Sequence, residues 1–378
     1  MKILFISMPS IHVIRWINNL KDSDHELFWF DVTNKGKLEV IDKVHQFANW
    51  NSRKIRPIKG EYFLSRKAPF LYKKIRPFLE VTENDYLEKI INEIKPDVVH
   101  SFEMQSCSYQ IRKTMEKHPD LKWIYSCWGN DLYYYKNFKE HRTAIKKVLK
   151  RVNLIHTDCQ RDYDIAKSVG FKGKHLGVIP GGTGYKLDKL QKFKIPIGQR
   201  KLILVKGYEH IFGRGLTIIK ALEEITEEIK DYEVIVFAAH PIVIEYVKQK
   251  KLPFTTFDRH GLKHDKVLEL MGKALVYIGN SISDGMSNTL LEAIVMGAFP
   301  IQSNPGNVSE EIINDKINGL IINNPESTLE IKNLILDALK DRQRFIIASE
   351  INSEIAKTRL DFETNRNKVL AIYNLSIQ

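Results

Sequence analysis

Apolar runs of strand length alternate with helical periodicity along most of this chain, and this alternation limits the possible folds more than any other feature. In the first half, strand patterns at residues 3–6 and 26–32 flank a helical spacing at residues 13–20. A second series begins at residues 201–205 and continues with a helix at 216–225. Strands that alternate with helices form a parallel sheet covered on both faces. The sequence therefore predicts an α/β protein with two Rossmann-like sheets.

Further elements follow the same two patterns. Strands are expected at residues 98–100, 123–126, 154–157, 175–179, 233–238 and 274–278, with a further strand entered at 297–300, and helices at 86–94 and 143–152.

A break at residues 180–184, followed by a polar stretch at 185–200, separates the two series. At 378 residues the chain also exceeds what one hydrophobic core usually supports. We therefore predict an N-terminal domain at 1–185 and a C-terminal domain at 200–358. The final helical pattern, about 341–373 with a break near Thr358, is long for one domain. We expect about 360–378 to cross back to the N-terminal domain.

Composition excludes several classes of protein. With 43% hydrophobic and 28% charged residues, the chain is neither disordered nor fibrous. Its 3 cysteines have no CxxC spacing, which predicts neither a metal knuckle nor a disulfide framework and favours a reducing cytosol. Pro9, His12 and Arg15 interrupt the first apolar run before it reaches the length of a signal peptide or membrane span. A cytoplasmic location is expected.

The formal net charge of +12 favours an anionic partner, and the basic residues cluster at 53–76. Aromatic and aliphatic side chains alternate with these cations, which suits the interface of an anionic inner membrane. Single-stranded nucleic acid accepts the same chemistry through stacking, and a merely solvated basic face is the commoner case. We predict membrane contact and no nucleic acid.

The most informative motif is residues 281–300. A loop rich in Ser, Gly and Asn follows the strand that ends at Gly279 and leads into a helix, with Ser287 or Asn288 as N-cap. The N–H groups at a helix start favour an anion such as a diphosphate. Glu292, about one turn into the helix, is placed to accept hydrogen bonds from ribose hydroxyls.

This motif resembles the signature of retaining glycosyltransferases of family 4, in which two acids separated by seven residues flank a glycine-containing loop and helix. The pair here is Asp284 and Glu292. The resemblance implies that Glu292 binds the donor ribose and that Asp284 contacts the donor sugar near the reacting carbon. The family usually has Glu at the first position, so Asp284 reaches one methylene less.

Residues 205–222 resemble the strand, glycine turn and helix that carry two cations for the donor diphosphate in that family. Arg214 takes the place of the usual Lys, and Tyr208 stands where Arg is common. From its position, Lys206 is expected to supply the missing charge.

The resemblance extends upstream over nearly the whole chain. Residues 96–100 and 178–182 match strand patterns of the family, and residues 7–20 resemble its first strand, loop and helix in polysaccharide-synthesising members. Asp131 retains an acid of the family, whereas Trp128 replaces a common histidine. Of the histidines near strand ends we assign a role only to His12, in the first strand-to-helix loop. His100, His156, His240 and His260 are expected to be structural.

The resemblance implies the GT-B fold: two facing Rossmann-like domains with a central cleft, the nucleotide mainly on the C-terminal domain and the acceptor mainly on the N-terminal one. It implies transfer of a sugar from a nucleotide-diphosphate sugar, UDP-sugar favoured, to a saccharide or lipid-linked saccharide in surface polysaccharide synthesis. The catalytic candidates are Asp284, Arg214, Asp131 and His12. The donor-binding candidates are Lys206, Gly207, Arg214, Gly285, Met286, Ser287, Asn288 and Glu292.

No metal or further cofactor is expected, because HExxH, Walker and paired CxxC motifs are missing and the formal DxD at residues 22–24 has a turn-like setting. Two other functions remain open. A sugar-nucleotide 2-epimerase of the same fold would act on UDP-sugar without an acceptor. A non-catalytic sugar-nucleotide-binding subunit would bind the donor without transfer.

Overall fold

The computed structural model describes residues 1–38, 41 and 43–377, and the chain divides into two compact units. Unit 1 comprises Met1–Thr157, Tyr163–Val178 and Val369–Gln378, and unit 2 comprises Asp158–Asp162 and Ile179–Lys368. The division after Val178 falls before the boundary predicted at residue 185. The short segment Asp158–Asp162, which the sequence placed in the N-terminal domain, groups with unit 2.

Unit 1 is built on a parallel sheet whose strand order, within the described residues, is β3-β2-β1-β4-β5-β6-β7. The strands are β1 (Lys2–Ser7), β2 (Glu26–Asp31), β3 (Val44–Phe47), β4 (Val98–Phe102), β5 (Lys122–Ser126), β6 (Leu154–Thr157) and β7 (Lys174–Val178). The helices are α1 (Ile11–Asn18), α2 (Glu61–Lys67), α3 (Pro69–Leu79), α4 (Glu83–Ile94), α5 (Tyr109–Lys117), α6 (Asn130–Tyr133), α7 (Lys139–Arg151) and α8 (Gln160–Ser168).

Unit 2 repeats the plan with a parallel sheet of order β10-β9-β8-β11-β12-β13 in the part of the chain that is described. Its strands are β8 (Leu202–Lys206), β9 (Glu233–Ala239), β10 (Phe254–Asp258), β11 (Ala274–Gly279), β12 (Phe299–Ser303) and β13 (Leu320–Ile322). The helices are α9 (Leu187–Leu190), α10 (Gly215–Glu223), α11 (Pro241–Gln249), α12 (His264–Lys273), α13 (Asn288–Met296), α14 (Thr328–Lys340), α15 (Arg342–Ile355) and α16 (Phe362–Ile377).

Burial of the central strands explains why the alternation of strands and helices could be recognised in the sequence. Ile3 to Ile6 of β1 are completely buried, as both faces of a parallel sheet covered by helices require. Likewise every residue of β11 is buried. Helix α13 is buried from Leu290 to Met296 and ends at Gly297, whose φ of 75° is the left-handed conformation that glycine supplies at a helix end.

All predicted strands are present, with ends shifted by one or two residues, but β3, β10 and β13 were not predicted. The final helix breaks as expected: α15 ends at Ile355, a π-helical turn covers Ala356–Leu360 and α16 begins at Phe362. The C-terminal part of α16, from Val369, belongs to unit 1.

A buried polar network ties α16 into unit 1. The Tyr373 hydroxyl accepts a hydrogen bond from Trp16 Nε1 at 2.7 Å and lies 2.7 Å from His100 Nδ1. On the other side of the ring, His100 Nε2 lies 2.7 Å from Ser126 Oγ, which lies 2.8 Å from His156 Nδ1. Burial, with a smaller effect of His156, holds the pKa of His100 well below its usual value. His100 and His156 are thus buried and hydrogen-bonded, as expected of structural histidines.

Candidate functional site

The turn after β8 is built on glycines that leave no room for a side chain. A Cβ on Gly207 would lie 2.7 Å from the Cα of Ala239, and one on Gly215 would lie 2.9 Å from the backbone oxygen of Tyr208. The N–H of Gly215 donates to that same oxygen at 2.7 Å, which closes the loop just before α10 begins. Tyr208 is therefore held at the carboxyl end of the sheet.

This turn is joined to the loop after β11. The backbone N–H of Arg214 donates to the carbonyl of Asn280 at 3.0 Å, and Asn280 Nδ2 returns a bond to the Arg214 carbonyl at 3.2 Å. The N–H of Ile282 donates to Phe212 O at 2.9 Å. The two motifs that carry the family resemblance thus lie side by side at one sheet edge, where open parallel sheets bind ligands.

Tyr208 is the centre of a cationic and aromatic group. Lys206 Nζ lies 4.6 Å and the Arg259 guanidinium carbon 5.7 Å from the centroid of its ring. The rings of His210 and His240 each lie 5.5 Å from Tyr208. Among the residues that the structure describes, neither Lys206 nor Arg259 forms an ion pair with a carboxylate. We call these five residues the Tyr208 cluster.

His210 of the Tyr208 cluster offers a neutral hydrogen-bond group. Desolvation lowers the pKa of His210, and His240, Lys206 and Arg259 lower it further, while Asp284 raises it. Because Nδ1 of His210 accepts from the N–H of Phe212 at 3.1 Å, its neutral ring carries the proton on Nε2. Nε2 of His240 is buried and has no hydrogen-bond partner among the described residues. The cluster thus combines net positive charge with an unsatisfied buried ring nitrogen.

Arg214 lies in the same turn, but protein acceptors occupy its guanidinium. Its Nε pairs with Glu326, and Nη1 donates to the carbonyls of His210 at 3.0 Å and Gly213 at 2.8 Å. The structure thus gives Arg214 a part in holding the turn. Lys206, which was expected to supply a cation, and Arg259, which was not predicted, both lie at the Tyr208 ring. Sequence reasoning missed Arg259 because β10, which it follows, carries a weak strand pattern.

The glycine-containing loop precedes α13 as the motif predicts. Asp284 Oδ1 accepts from the N–H of Gly285 at 2.9 Å, and Met286 is buried. Ser287 is the N-cap, yet its Oγ bonds Thr289 Oγ1 at 3.0 Å and makes no capping bond to the helix backbone. Helix N–H groups without a side-chain cap are available to an anion.

Glu292 is only 3% exposed, and its Oε1 lies 2.7 Å from His264 Nε2. His264 opens α12 and was not singled out from the sequence. The hydroxyl of the buried Tyr277 donates to Thr289 at 2.9 Å. Burial raises the pKa of Tyr277, and the charges of Asp284 and Glu292 raise it further. Asp284 and Glu292 therefore both act electrostatically on the buried Tyr277 of unit 2.

The two candidates in unit 1 have different settings from those expected. His12 is the second residue of α1 and not part of a loop, because Ser10 Oγ caps the helix by accepting from the His12 N–H at 3.2 Å. Its ring lies 5.3 Å from that of Trp128.

Asp131 is buried, and its Oδ2 accepts from the N–H groups of Met104 and Trp128 and, at 2.7 Å, from the Tyr125 hydroxyl. The Asp131 carboxylate thus holds the backbone at Met104 and Trp128.

One group of potential metal ligands is present in the described part of the chain. Donor atoms of Asp158, Cys159 and Asp162 lie within 4.8 Å of one another. Asp162 is paired with Arg161 at 2.8 Å, and burial raises the pKa of the Cys159 thiol, which opposes the thiolate that metals bind. Burial and Asp162 also raise the pKa of Asp158 to about 8. These donors suit a protonated hydrogen-bonded group better than a cation site.

Comparison with known proteins places this site in a class. Residues 2–159 match the family described as glycosyl transferase 4-like, and residues 217–357 match glycosyl transferases group 1. Together the two matches cover most of the chain, and the second includes both acids of unit 2 and, of the Tyr208 cluster, His240 and Arg259. No protein of curated function is significantly similar in sequence.

Solved structures show the same fold at low sequence identity. HepE of Anabaena in complex with UDP and glucose has a TM-score of 0.67 and 15% identity, with 99% of each chain covered. Sucrose-phosphate synthase of Thermosynechococcus elongatus has a TM-score of 0.72 and 14% identity, covering 99% of this chain and 98% of its own. A glycosyltransferase of Rickettsia africae has a TM-score of 0.70 and 16% identity, covering 100% and 98%.

These findings identify the chain as a glycosyltransferase with the GT-B fold, built from two Rossmann-like domains.

Proposed function

We propose that this enzyme moves a sugar from a UDP-sugar to a saccharide or lipid-linked saccharide with retention of configuration, in the cytoplasm, as a family 4 glycosyltransferase of surface polysaccharide synthesis. The observation that supports this most is the Tyr208 cluster, which lies beside the glycine-containing loop and α13. HepE, which shares the fold, is known in complexes with UDP and with UDP-glucose.

The charges of the site fit a diphosphate. Lys206 and Arg259 bring two cations to one ring without carboxylate partners in the described part of the chain, and an uncapped helix start adds N–H donors. The free nitrogen of His240 supplies one more hydrogen-bond group. Such preorganised charges stabilise a leaving diphosphate because they need no rearrangement as negative charge develops.

In the proposed reaction the bond between the anomeric carbon and the diphosphate oxygen breaks, and the acceptor oxygen forms a new bond on the same face of the sugar. The acceptor proton passes to the departing diphosphate oxygen. Glu292, held by His264, accepts hydrogen bonds from the donor ribose, and Asp284 contacts the donor sugar near the reacting carbon.

The proposal is tested by titrating the protein with UDP and by measuring sugar transfer to a total lipid and glycan extract. Wild type should bind UDP, and Glu292→Gln should bind it more weakly, because the neutral amide is a poorer acceptor for ribose hydroxyls. Lack of UDP binding by the wild type would refute the proposed donor. Conversion of UDP-sugar to an epimer without an acceptor would identify an epimerase instead.

We further propose that transfer needs no divalent cation, since side-chain cations and a helix start are present at the proposed diphosphate site. Activity should persist in EDTA. Loss of activity in EDTA with recovery on addition of manganese or magnesium would contradict this.

The segment at residues 53–79 supports a membrane-associated acceptor. Its helices α2 and α3 expose large apolar side chains, including Phe63 (66% exposed), Phe70 (70%) and Phe78 (75%). Arg66 lies over the ring of Tyr62, and Lys74 over that of Phe70. No helix in the described residues is long and apolar enough to cross a bilayer. We propose that this hairpin docks on an anionic membrane surface.

Three of its cations are neutralised within the hairpin and by adjacent acids: Arg53 pairs with Glu61, Lys54 with Asp85 and Arg76 with Glu83. The test therefore replaces Arg66, Lys67 and Lys74 by Ser and leaves these pairs intact. Wild type should sediment with anionic vesicles but not with neutral ones, and it should dissociate from them as the salt concentration rises. The triple variant should not sediment with anionic vesicles. A matched control replaces Lys146, Lys147 and Lys150, exposed on α7. Equal binding by the triple variant would refute docking through the hairpin.

A further inference from the structure

Unit 2 contains a cavity of about 320 Å³ at the sheet edge opposite to the Tyr208 cluster. Arg200 and Gly297, which line the cavity, stand two residues before β8 and β12. Lys206 and Arg259 of the Tyr208 cluster, by contrast, lie at the carboxyl ends of β8 and β10. The cavity is therefore at the amino ends of the strands, outside the proposed donor site, and its volume suits a small ligand.

Three segments of unit 2 form the walls of this cavity. They are the stretch at 194–200 before β8, the C-terminal end of α13 and one face of α15. Helix α15 contributes Ser349 and Ser353, which are four residues apart and so lie on the same face. The apolar lining consists of Ile195, Pro196, Ile197, Ile294, Val295 and Met296. The cavity thus combines hydroxyl groups with apolar walls.

Arg200 is only 2% exposed, and three carbonyls hold its guanidinium. Nε donates to Ile195 O at 3.0 Å, Nη1 to Ala274 O at 3.0 Å and Nη2 to Met296 O at 3.2 Å. A guanidinium has five N–H groups. One N–H on each terminal nitrogen therefore has no acceptor among the described residues. Two such groups can bind two oxygens of one oxyanion.

The space over Gly297 brings this guanidinium close to a hydroxyl. A Cβ built on Gly297 would lie 3.8 Å from Arg200 Nη2, 3.9 Å from Nη1 and 3.0 Å from Ser349 Oγ. The three polar atoms therefore surround one point that a side chain at Gly297 would otherwise fill. Donors that converge on one point suit a group with several acceptor oxygens, such as phosphate.

The cavity also carries an excess of positive charge. Lys194 lines it, and burial lowers the pKa of Lys194, which Arg200 and Lys357 lower further. In the part of the chain that is described, none of these three cations forms an ion pair with a carboxylate. The acids of α15, Glu350 and Glu354, are exposed and do not line the cavity. An anion in the cavity would relieve the repulsion among the cations.

We propose that this cavity binds a small molecule through a phosphate group. The free N–H groups of Arg200 and the hydroxyl of Ser349 donate to the phosphate oxygens, and Lys194 supplies the opposite charge. The apolar walls accept the carbon part of a phosphate ester. The inference goes beyond the proposed function, because no residue of the Tyr208 cluster lines this cavity.

The experiment is calorimetric titration of the full chain with inorganic phosphate, glycerol 3-phosphate and uncharged glycerol. Wild type should bind at least one of the two anions and should not bind glycerol. Tighter binding of glycerol 3-phosphate would identify the ligand as a phosphate ester, and equal affinity would identify it as phosphate itself. Lys194→Gln should weaken the binding about tenfold, as loss of a charge-assisted bond predicts.

Ser349→Glu provides a second test that does not depend on removing a cation. Its carboxylate would take the place of the phosphate beside Arg200, so this variant should lose phosphate binding. It should also melt at a higher temperature than wild type without phosphate, because the buried guanidinium gains a counter-charge. Unchanged phosphate binding in Ser349→Glu would overturn the proposal.

Two controls locate the binding. Lys201→Gln removes an exposed lysine next to Arg200 that does not line the cavity, and Arg259→Ala removes a cation of the Tyr208 cluster. Both variants should bind the anion as wild type does. Equal weakening by Lys194→Gln and Lys201→Gln, loss of all binding in Arg259→Ala, or no binding of either anion by wild type would overturn the phosphate site.

Discussion

The buried network of unit 1 and the Tyr208 cluster of unit 2 use similar residues in opposite ways. Both place histidine and tyrosine on a parallel α/β sheet. In unit 1, His100 is completely buried and both of its ring nitrogens have partners at 2.7 Å. In unit 2, His240 has a ring nitrogen without a partner among the described residues, and two cations share the ring of Tyr208.

We propose from this comparison that satisfaction of polar groups, and not residue type, separates structural from functional positions. A polar group whose bonds are complete stabilises the fold, and its removal costs stability. An unmatched cation or orphan nitrogen adds little to the fold and is free to bind a ligand. Each prediction below tests one side of this contrast.

Tyr373→Phe should have the largest effect. The substitution leaves Trp16 Nε1 and His100 Nδ1 buried without the hydroxyl they share, which should lower the free energy of unfolding by about 3 kcal/mol. Urea titration monitored by tryptophan fluorescence measures this. Tyr62→Phe, on the exposed hairpin, is the control and should unfold as wild type does. A loss below about 0.5 kcal/mol for Tyr373→Phe would show that the network is not structural.

Arg259→Ala should leave stability unchanged and weaken UDP binding about 30-fold, or about 2 kcal/mol. The reason is that this guanidinium has no carboxylate partner in the described residues and stands beside Lys206 over Tyr208. Calorimetric titration with UDP measures the change, and Lys248→Ala, an exposed cation on α11, serves as control. If the variant binds UDP with wild-type affinity but is less stable, Arg259 stabilises the fold and does not bind the ligand.

Acid should destabilise the chain through His100. Its pKa in the folded protein lies well below the unfolded value of about 6.5, so the unfolded state alone takes up this proton as the pH falls. This destabilisation is absent above pH about 6.5. Below that pH, the free energy of unfolding falls by about 1.4 kcal/mol per pH unit. Unfolding measured from pH 7 to 5 in wild type and His100→Gln should show a shallower slope in the variant. Identical slopes would mean that His100 is not the titrating group.

Arg214→Ala should have the smallest effect, because its guanidinium is already engaged by Glu326 and two carbonyls. We expect the KM for the UDP-sugar to rise about fivefold, or about 1 kcal/mol, through loosening of the turn. Steady-state kinetics beside Arg259→Ala measures the ratio. A larger effect at Arg214 than at Arg259 would restore the direct phosphate contact that the sequence suggested.

The sequence was informative where burial imposed a pattern. Strands such as β1 and β11 are buried along their length, and their sequences are therefore apolar runs. The spacing of Asp284 and Glu292 is likewise visible in the sequence without knowledge of the fold. By contrast β3 and β10 are sheet edges with half-exposed residues, and their sequences carry no such run. Arg259 was missed together with the strand it follows.

Contacts between residues that are distant in sequence could not be predicted either. Glu326 lies 112 residues from Arg214, and nothing local shows that this acid neutralises that cation. His264 and Glu292 meet across 28 residues for the same reason. The start of α1 was misplaced because Ser10 caps it earlier than the apolar spacing indicates, which turned His12 from a loop residue into a helix residue.

The return of α16 to unit 1 also sets the order in which the protein can be completed during synthesis. Tyr373 follows His100 by 273 residues, which a ribosome adds in roughly 30 s at about 10 residues per second. During that time Trp16 Nε1 and His100 Nδ1 lack the tyrosine hydroxyl that they share in the complete structure. Unit 2 emerges and can close its sheet first. The earliest part of the chain to be made is thus the last to reach its final stability.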